Sequence, residues 1–235
     1  MKKMAIFVEG ETELRFIDRL IREIANEKSL QIVLVKASGG GTRITRTYNV
    51  VYDSGGGSDK EFYIRIVNSG TDNRVGSDIR DNYAALMNSG FEMVIGVRDV
   101  YPDFSLSDLP KLRNGLRYRL RTKPVSVDFV LGVMEIEAWF LAEHTHFSRI
   151  HPRLSASRIA ALYGFDPSID DMQLRANPAF DLHNAYSLEG LAYKKTGSQI
   201  QRTVEALDYA EMYLEHKAKF PDFAVFMRVI DQFFS

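Results

Sequence analysis

Five apolar residues in a row, Met4-Ala5-Ile6-Phe7-Val8, predict a buried strand that stops at Glu9 and turns at Gly10. Leu14, Ile17, Leu20, Ile21, Ile24 and Ala25 then recur at helical spacing, with Arg15, Asp18, Arg22 and Glu23 on the opposite face and Thr12 placed to cap the first turn. Gln31-Ile32-Val33-Leu34-Val35 reads as the next buried strand, so strand, helix and strand form a right-handed βαβ unit with a parallel pair. Two β-rich runs follow, Thr45 to Tyr52 and Phe62 to Val67, separated by Ser54-Gly55-Gly56-Gly57-Ser58. That arrangement predicts a β-hairpin insertion over about residues 42–68. A helix is expected from Asp78 to Met87, a strand from Met93 to Val97, a helix from Leu109 to Leu120 and a strand from Val125 to Val133. The apolar segment Ala138 to Ala142 continues as a helix. Past Glu143 the strand pattern ends, and helices are expected at Ser157–Tyr163, Pro178–Gly190, Ser198–His216 and Asp222–Phe234. The fold class is therefore α/β: a mostly parallel central sheet flanked by helices over residues 1–145, and a helical region over 146–235 packed on that core.

Composition changes this picture mainly by exclusion. The 235 residues carry a formal net charge of -1, so a nucleic-acid partner would have to be held by a local patch rather than a global basic field. The absence of cysteine removes disulfides, thiolate metal sites and a cysteine nucleophile. No apolar run reaches the length of a membrane span and the N-terminus lacks the apolar segment of a signal peptide, so the expectation is a cytoplasmic protein with no membrane partner. The glycine runs are not followed by Gly-Lys-Ser/Thr, which argues against a phosphate loop.

Chemistry enters at the strand ends. Three predicted strands run into carboxylates: Glu9, Asp99, and Glu135 with Glu137. Parallel, adjacent strands would bring these acids to one sheet edge, where open α/β sheets place their sites. An all-oxygen donor set suits Mg²⁺ or Mn²⁺. Two such ions about 3.5–4 Å apart activate water and stabilise the leaving oxygen of a phosphodiester.

The turn Val8-Glu9-Gly10-Glu11-Thr12-Glu13, the acid at Asp99 and the run Glu135-Ile136-Glu137-Ala138-Trp139-Phe140-Leu141-Ala142 resemble the TOPRIM fold. They are similar in particular to small stand-alone relatives of the overcoming-lysogenization-defect nucleases. The resemblance covers residues 4–143 in order and extends weakly to Tyr193-Lys194-Lys195 and Phe220-Pro221-Asp222-Phe223. It implies a divalent-metal-dependent nuclease in which Glu9 is the lead ligand, Asp99 the first acid of an Asp-x-Asp pair, and a downstream acid and a lysine complete the site. The chain departs from that pattern at Tyr101, where the second acid belongs; the next acid is Asp103, beyond Pro102. Either Asp103 substitutes, or Glu135 and Glu137 carry more of the site, or one metal position is lost.

Lys194 or Lys195 would steady a phosphate or developing charge, or else be solvated lysines at a helix boundary. Lys111 to Lys123 contains no acid, and Arg113, Arg117 and Arg121 fall at four-residue spacing, with Lys123 beyond them. In the nuclease reading this face meets the phosphate backbone; its plainer role is a solvated helix face. Arg43 and Arg46, with Tyr48 and Tyr52, would add a finger against DNA or RNA. The competing expectation is a non-catalytic TOPRIM-like module that binds a partner protein, such as the ATPase of an anti-phage defence system, or nucleic acid.

Overall fold

In the computed structural model, which describes residues 1–235 apart from Thr42 and Ser58, a six-stranded sheet has the order β3-β2-β4-β1-β5-β6. The strands are β1 (Lys2–Val8), β2 (Leu30–Ser38), β3 (Thr47–Asp53), β4 (Phe62–Asn68), β5 (Met93–Asp99) and β6 (Ser126–Gly132). β1 pairs in parallel with both β4 and β5, and β2 in parallel with β4, whereas β2 and β3 form an antiparallel pair. The mostly parallel α/β expectation holds.

Two pairings differ from the sequence expectation. β1 and β2 are parallel but not neighbours, because β4 lies between them. The hairpin forms between β2 and β3 rather than between β3 and β4. Burial explains both. β4 is buried or half-buried along its whole length, which belongs inside a sheet, whereas β3 is exposed at all but one position and takes the edge. The turn that joins β2 to β3 uses Gly39 and Gly40 at φ of 77° and 89°, where a side chain on Gly39 would strike the Thr45 carbonyl. Of the expected tip Ser54–Ser58, the last residue, Ser58, lies outside the described residues, as does Thr42 at the start of the expected insertion.

Helix α1 (Glu11–Ala25) buries Leu14, Ile17, Leu20, Ile21 and Ala25, and its outer face carries the ion pairs Glu11–Arg15, Asp18–Arg22 and Arg19–Glu23 at i,i+4. Thr12 does not cap it. Gly10 is the N-cap residue without a side-chain bond, and Thr12 is buried inside the first turn. Helices α2 (Val75–Asn88), α3 (Leu109–Arg117) and α4 (Glu137–Ala142) follow close to their expected positions. The remaining chain is helical, with α5 (His146–Ile150), α6 (Ala156–Tyr163), α7 (Pro178–Ser187), α8 (Gly197–Ala206) and a C-terminal helix, Pro221–Phe234.

The chain forms two compact units. The first comprises residues 1–98, 110–130 and 228–235; the second comprises 99–109 and 131–227. The chain thus crosses between units several times, where the sequence expectation places a single division near residue 145. The first unit is built on the sheet, with Ala5, Phe7, Val33, Val35 and Val67 packed with Ile79, Tyr83 and Leu86 of α2. In the second, Trp139, Phe140, Phe147 and Tyr186 are fully buried and form part of the core. Among the described residues, no helix is long and apolar enough to cross a membrane.

Candidate metal centre

The second unit gathers three acids. Asp99, Glu135 and Glu137 each offer a carboxylate oxygen, and these oxygens all lie within 4.8 Å of one another. All three residues are buried, with 3%, 7% and 0% of their surface exposed. Like charges at this separation repel strongly in a low-dielectric setting, so the local structure must supply compensating donors.

Backbone geometry after β6 provides the first of them. The chain leaves Gly132, passes through Met134 at φ 62°, and enters α4 at Glu137. A left-handed φ on a methionine costs energy, and the backbone N–H groups of Val100 and Tyr101 hold it by donating to the Met134 carbonyl at 3.2 and 2.7 Å. This turn presents the Ile136 N–H to Asp99 Oδ1 at 2.9 Å. A Cβ on Gly132 would fall 2.3 Å from the same Asp99 oxygen, so the acid occupies space that only glycine leaves open.

Glu135 Oε2 accepts from the Ala179 N–H at 2.9 Å, in the first turn of α7. Glu137 Oε1 accepts from the Tyr193 hydroxyl at 2.9 Å. Lys195 Nζ lies 3.1 Å from Glu135 Oε1 and 3.1 Å from Glu137 Oε1. Lys195 itself sits at φ 54°, a second left-handed side-chain-bearing residue at the site. Burial is the main influence on Glu137 and pushes its carboxyl above the ordinary range; Lys195 opposes that shift, and the charge of Glu135 adds to it.

Two of the expected residues, Lys194 and Asp103, are placed elsewhere. Lys194 is exposed, and its backbone N–H, rather than its ammonium, is used, donating to Gln199 Oε1 at 2.5 Å. Asp103 lies exposed in the turn after β5, and no three-residue ligand group among the described residues includes it. Glu9 follows Val8, whose partner in β5 is Val97, so it stands in the first unit at the C-terminal end of β1.

The basic residues do not make the expected surface. Helix α3 ends at Arg117, and Arg119 takes φ 56°, so Arg121 and Lys123 lie beyond the helix and do not extend a face with Arg113 and Arg117. Arg117, Arg121 and Lys123 are exposed and Arg113 is half-buried. Arg46 is tied into the first unit: it pairs with buried Asp78 at 2.5 Å and donates to the Gly39 and Ser69 carbonyls at 3.1 and 2.6 Å. It is therefore a structural clamp rather than part of a finger, while Arg43 is exposed in the turn before β3. His146 is fully buried with Nε2 on Tyr186 Oη at 3.0 Å and Nδ1 on the Glu143 carbonyl at 2.5 Å.

Sequence reasoning missed Gly132, the Ile136 and Ala179 amides and the left-handed Met134, and gave Tyr193 no role in the site. None has a local signature. The available signals were the Glu-Ile-Glu spelling, which places one acid on each side of a backbone N–H, and the Tyr193-Lys194-Lys195 run.

No protein-family model and no curated protein matches the chain. Among solved structures, it is similar to one described as "the putative cell surface hydrolase from Lactobacillus plantarum WCFS1", at 15% identity and a TM-score of 0.33, over 57% of this chain and 53% of that one. The chain thus matches about half the length of that structure, and a likeness this distant carries no argument about activity.

Proposed function

We propose that the chain is a divalent-metal-dependent nuclease, with Asp99, Glu135 and Glu137 as metal ligands. The observation that carries this reading is the trio of buried carboxylates whose oxygens lie within 4.8 Å of one another. The donor set is oxygen only, which fits Mg²⁺ or Mn²⁺. Such an ion, when bound, supplies an activated water and charge neutralisation at a phosphodiester. The protein's part is positioning. The Ile136 and Ala179 amides fix one oxygen each of Asp99 and Glu135, and Tyr193 orients Glu137. Lys195 balances part of the negative charge of Glu135 and Glu137 and would steady a phosphate oxygen brought to the ion. Arg117, Arg121 and Lys123 are candidate phosphate contacts, which predicts binding that weakens steeply with salt.

The test is cleavage of plasmid DNA and of a labelled RNA by the purified chain with Mg²⁺, with Mn²⁺ and with chelator. Metal-dependent cleavage that is absent from Asp99→Asn and Glu137→Gln supports the reading. Cleavage by those variants at the wild-type rate overturns the site.

A second reading is favoured by a specific observation: Lys195 already pairs with both Glu135 and Glu137, so the cluster is partly neutralised by the chain itself. In that reading the chain is a non-catalytic module that binds a partner, such as an ATPase of a defence system, or nucleic acid. Calorimetry with Mg²⁺ and Mn²⁺ separates the two. Absence of any heat at millimolar metal favours the module.

A further inference from the structure

The first unit contains a cavity of about 300 Å³ on the sheet face that α2 covers only in part. Its floor is Val33, Val35 and Val67, and Phe7 and Leu86 wall one side. Two hydrogen-bonded pairs contribute to its polar lining: Gln31 donates to Asp53 at 2.8 Å, and Asn82 donates to the Tyr48 hydroxyl at 2.7 Å. This is the size and make-up of a small-ligand site, apolar with a few fixed polar groups.

What marks the cavity is Arg65. It stands in β4, between Ala5 of β1 and Val33 of β2, in the middle of the sheet. A strand with parallel neighbours on both sides is ordinarily apolar at such a position, and a half-buried charge there needs a partner. Among the described residues, no carboxylate lies within ion-pair distance of Arg65. Its hydrogen bonds are two long contacts of 3.3 Å, from Nε and Nη2 to the Tyr63 hydroxyl. Its guanidinium also lies over the Phe91 ring at 5.2 Å and the Tyr63 ring at 5.8 Å, which holds the planar group by its faces and leaves its edge available. A guanidinium has five N–H donors, so three remain beyond the two directed at Tyr63. The acid among the lining residues, Asp53, is turned to Gln31 and to the Gly55 N–H at 2.9 Å.

From this geometry we propose that the cavity binds a small organic carboxylate with an apolar body, the carboxylate on Arg65 and the body on the valine floor. The fork of a guanidinium matches a carboxylate in two parallel hydrogen bonds, and the volume admits a single ring or a short branched chain rather than a polymer. This site is independent of the carboxylate cluster and of any nuclease activity.

Three probes separate the elements of the proposal: benzoate, which has charge and ring; benzamide, which has the ring alone; and inorganic phosphate, which has charge alone. Binding is followed by titration of the full chain using ligand-observed NMR. The expected result is saturable benzoate binding with a dissociation constant on the order of a millimolar, with benzamide and phosphate at least about tenfold weaker. Arg65→Met should lose benzoate binding at least tenfold. Val50→Trp should do the same by filling the mouth from an exposed position of β3 that tolerates the change, and it decides the matter if Arg65→Met does not fold. Absence of saturable benzoate binding, equal binding of benzamide or phosphate, or benzoate binding unchanged in Val50→Trp or in folded Arg65→Met would overturn the proposal.

Discussion

Around Glu137, three buried carboxylates share two backbone amides, a tyrosine hydroxyl and a lysine, whereas in the first unit a half-buried guanidinium faces an apolar cavity and, among the described residues, donates to a tyrosine oxygen alone. The first arrangement concentrates one charge sign and brings in donors from the turn between β6 and α4, from α7 and from the segment before α8. The second isolates a charge and leaves its donors open. Buried charge is costly in both places, but the compensation differs. Where the chain supplies the counter-groups itself, removing one exposes the rest to repulsion. Where it does not, the charged side chain can be removed with little loss.

The largest effect should come from the carboxylates. Glu137→Ala is expected to reduce metal-dependent cleavage by at least about 100-fold, the upper end of what loss of a supporting group costs, while Arg65→Met leaves it unchanged. Cleavage rates at saturating Mn²⁺ check this, and equal losses in both variants would erase the distinction between the sites.

Stability comes next. Lys195→Met should destabilise the protein by about 1–2 kcal/mol, less than the roughly 3–5 of a fully buried pair because the lysine side chain is 38% exposed and solvent screens it. Arg65→Met should change stability by no more than about 0.5 kcal/mol. Urea melts of both variants at neutral pH make the comparison directly. Gly132→Ala should cost about 1–3 kcal/mol and weaken metal binding, because its new methyl displaces Asp99; a crystal structure of that variant with Asp99 unmoved would refute the mechanism.

The smallest effect is in pH. Burial holds the Glu137 carboxyl above its ordinary 4.5, so the folded chain keeps a proton that the unfolded chain releases. The stability tied to this group is therefore present below pH 4.5 and lost as pH rises through the raised folded value. Glu137→Gln should gain stability relative to wild type over that rise. His146 acts with the opposite sign: burial pushes it from 6.5 to about 3, so its contribution is present above pH 6.5 and lost as pH falls below it. Urea midpoints of wild type and Glu137→Gln from pH 4 to 8 isolate the glutamate, and a pH-independent difference between them would show that its ionisation is not perturbed.

Much of this was legible from periodicity. The apolar runs at Met4–Val8 and Met93–Val97 and the helical spacing of α1 and α2 follow from the burial of one face, which any sequence must encode locally. Glu135 and Glu137 were also readable as a pair, since they flank one residue at a strand end. Strand order was not. β4 and β3 have similar β-rich composition, and only the demand that the strand buried on both faces lie inside the sheet separates them. The α3 surface failed for a related reason, because four-residue spacing describes a face only while the helix lasts, and it ends at Arg117.

The sequence by itself determined an α/β chain with a helical C-terminal region, free of thiol chemistry, with acids at strand ends. Tertiary structure alone decided which acids meet and what holds them. Asp99 and Glu135 are 36 positions apart in the chain, and their oxygens meet only because a left-handed turn at Met134 and the missing side chain at Gly132 allow it. Hydrogen bonds from Ala179, Tyr193 and Lys195 arrive from still more distant segments. Such groups carry no periodicity of their own, so no local pattern announces them.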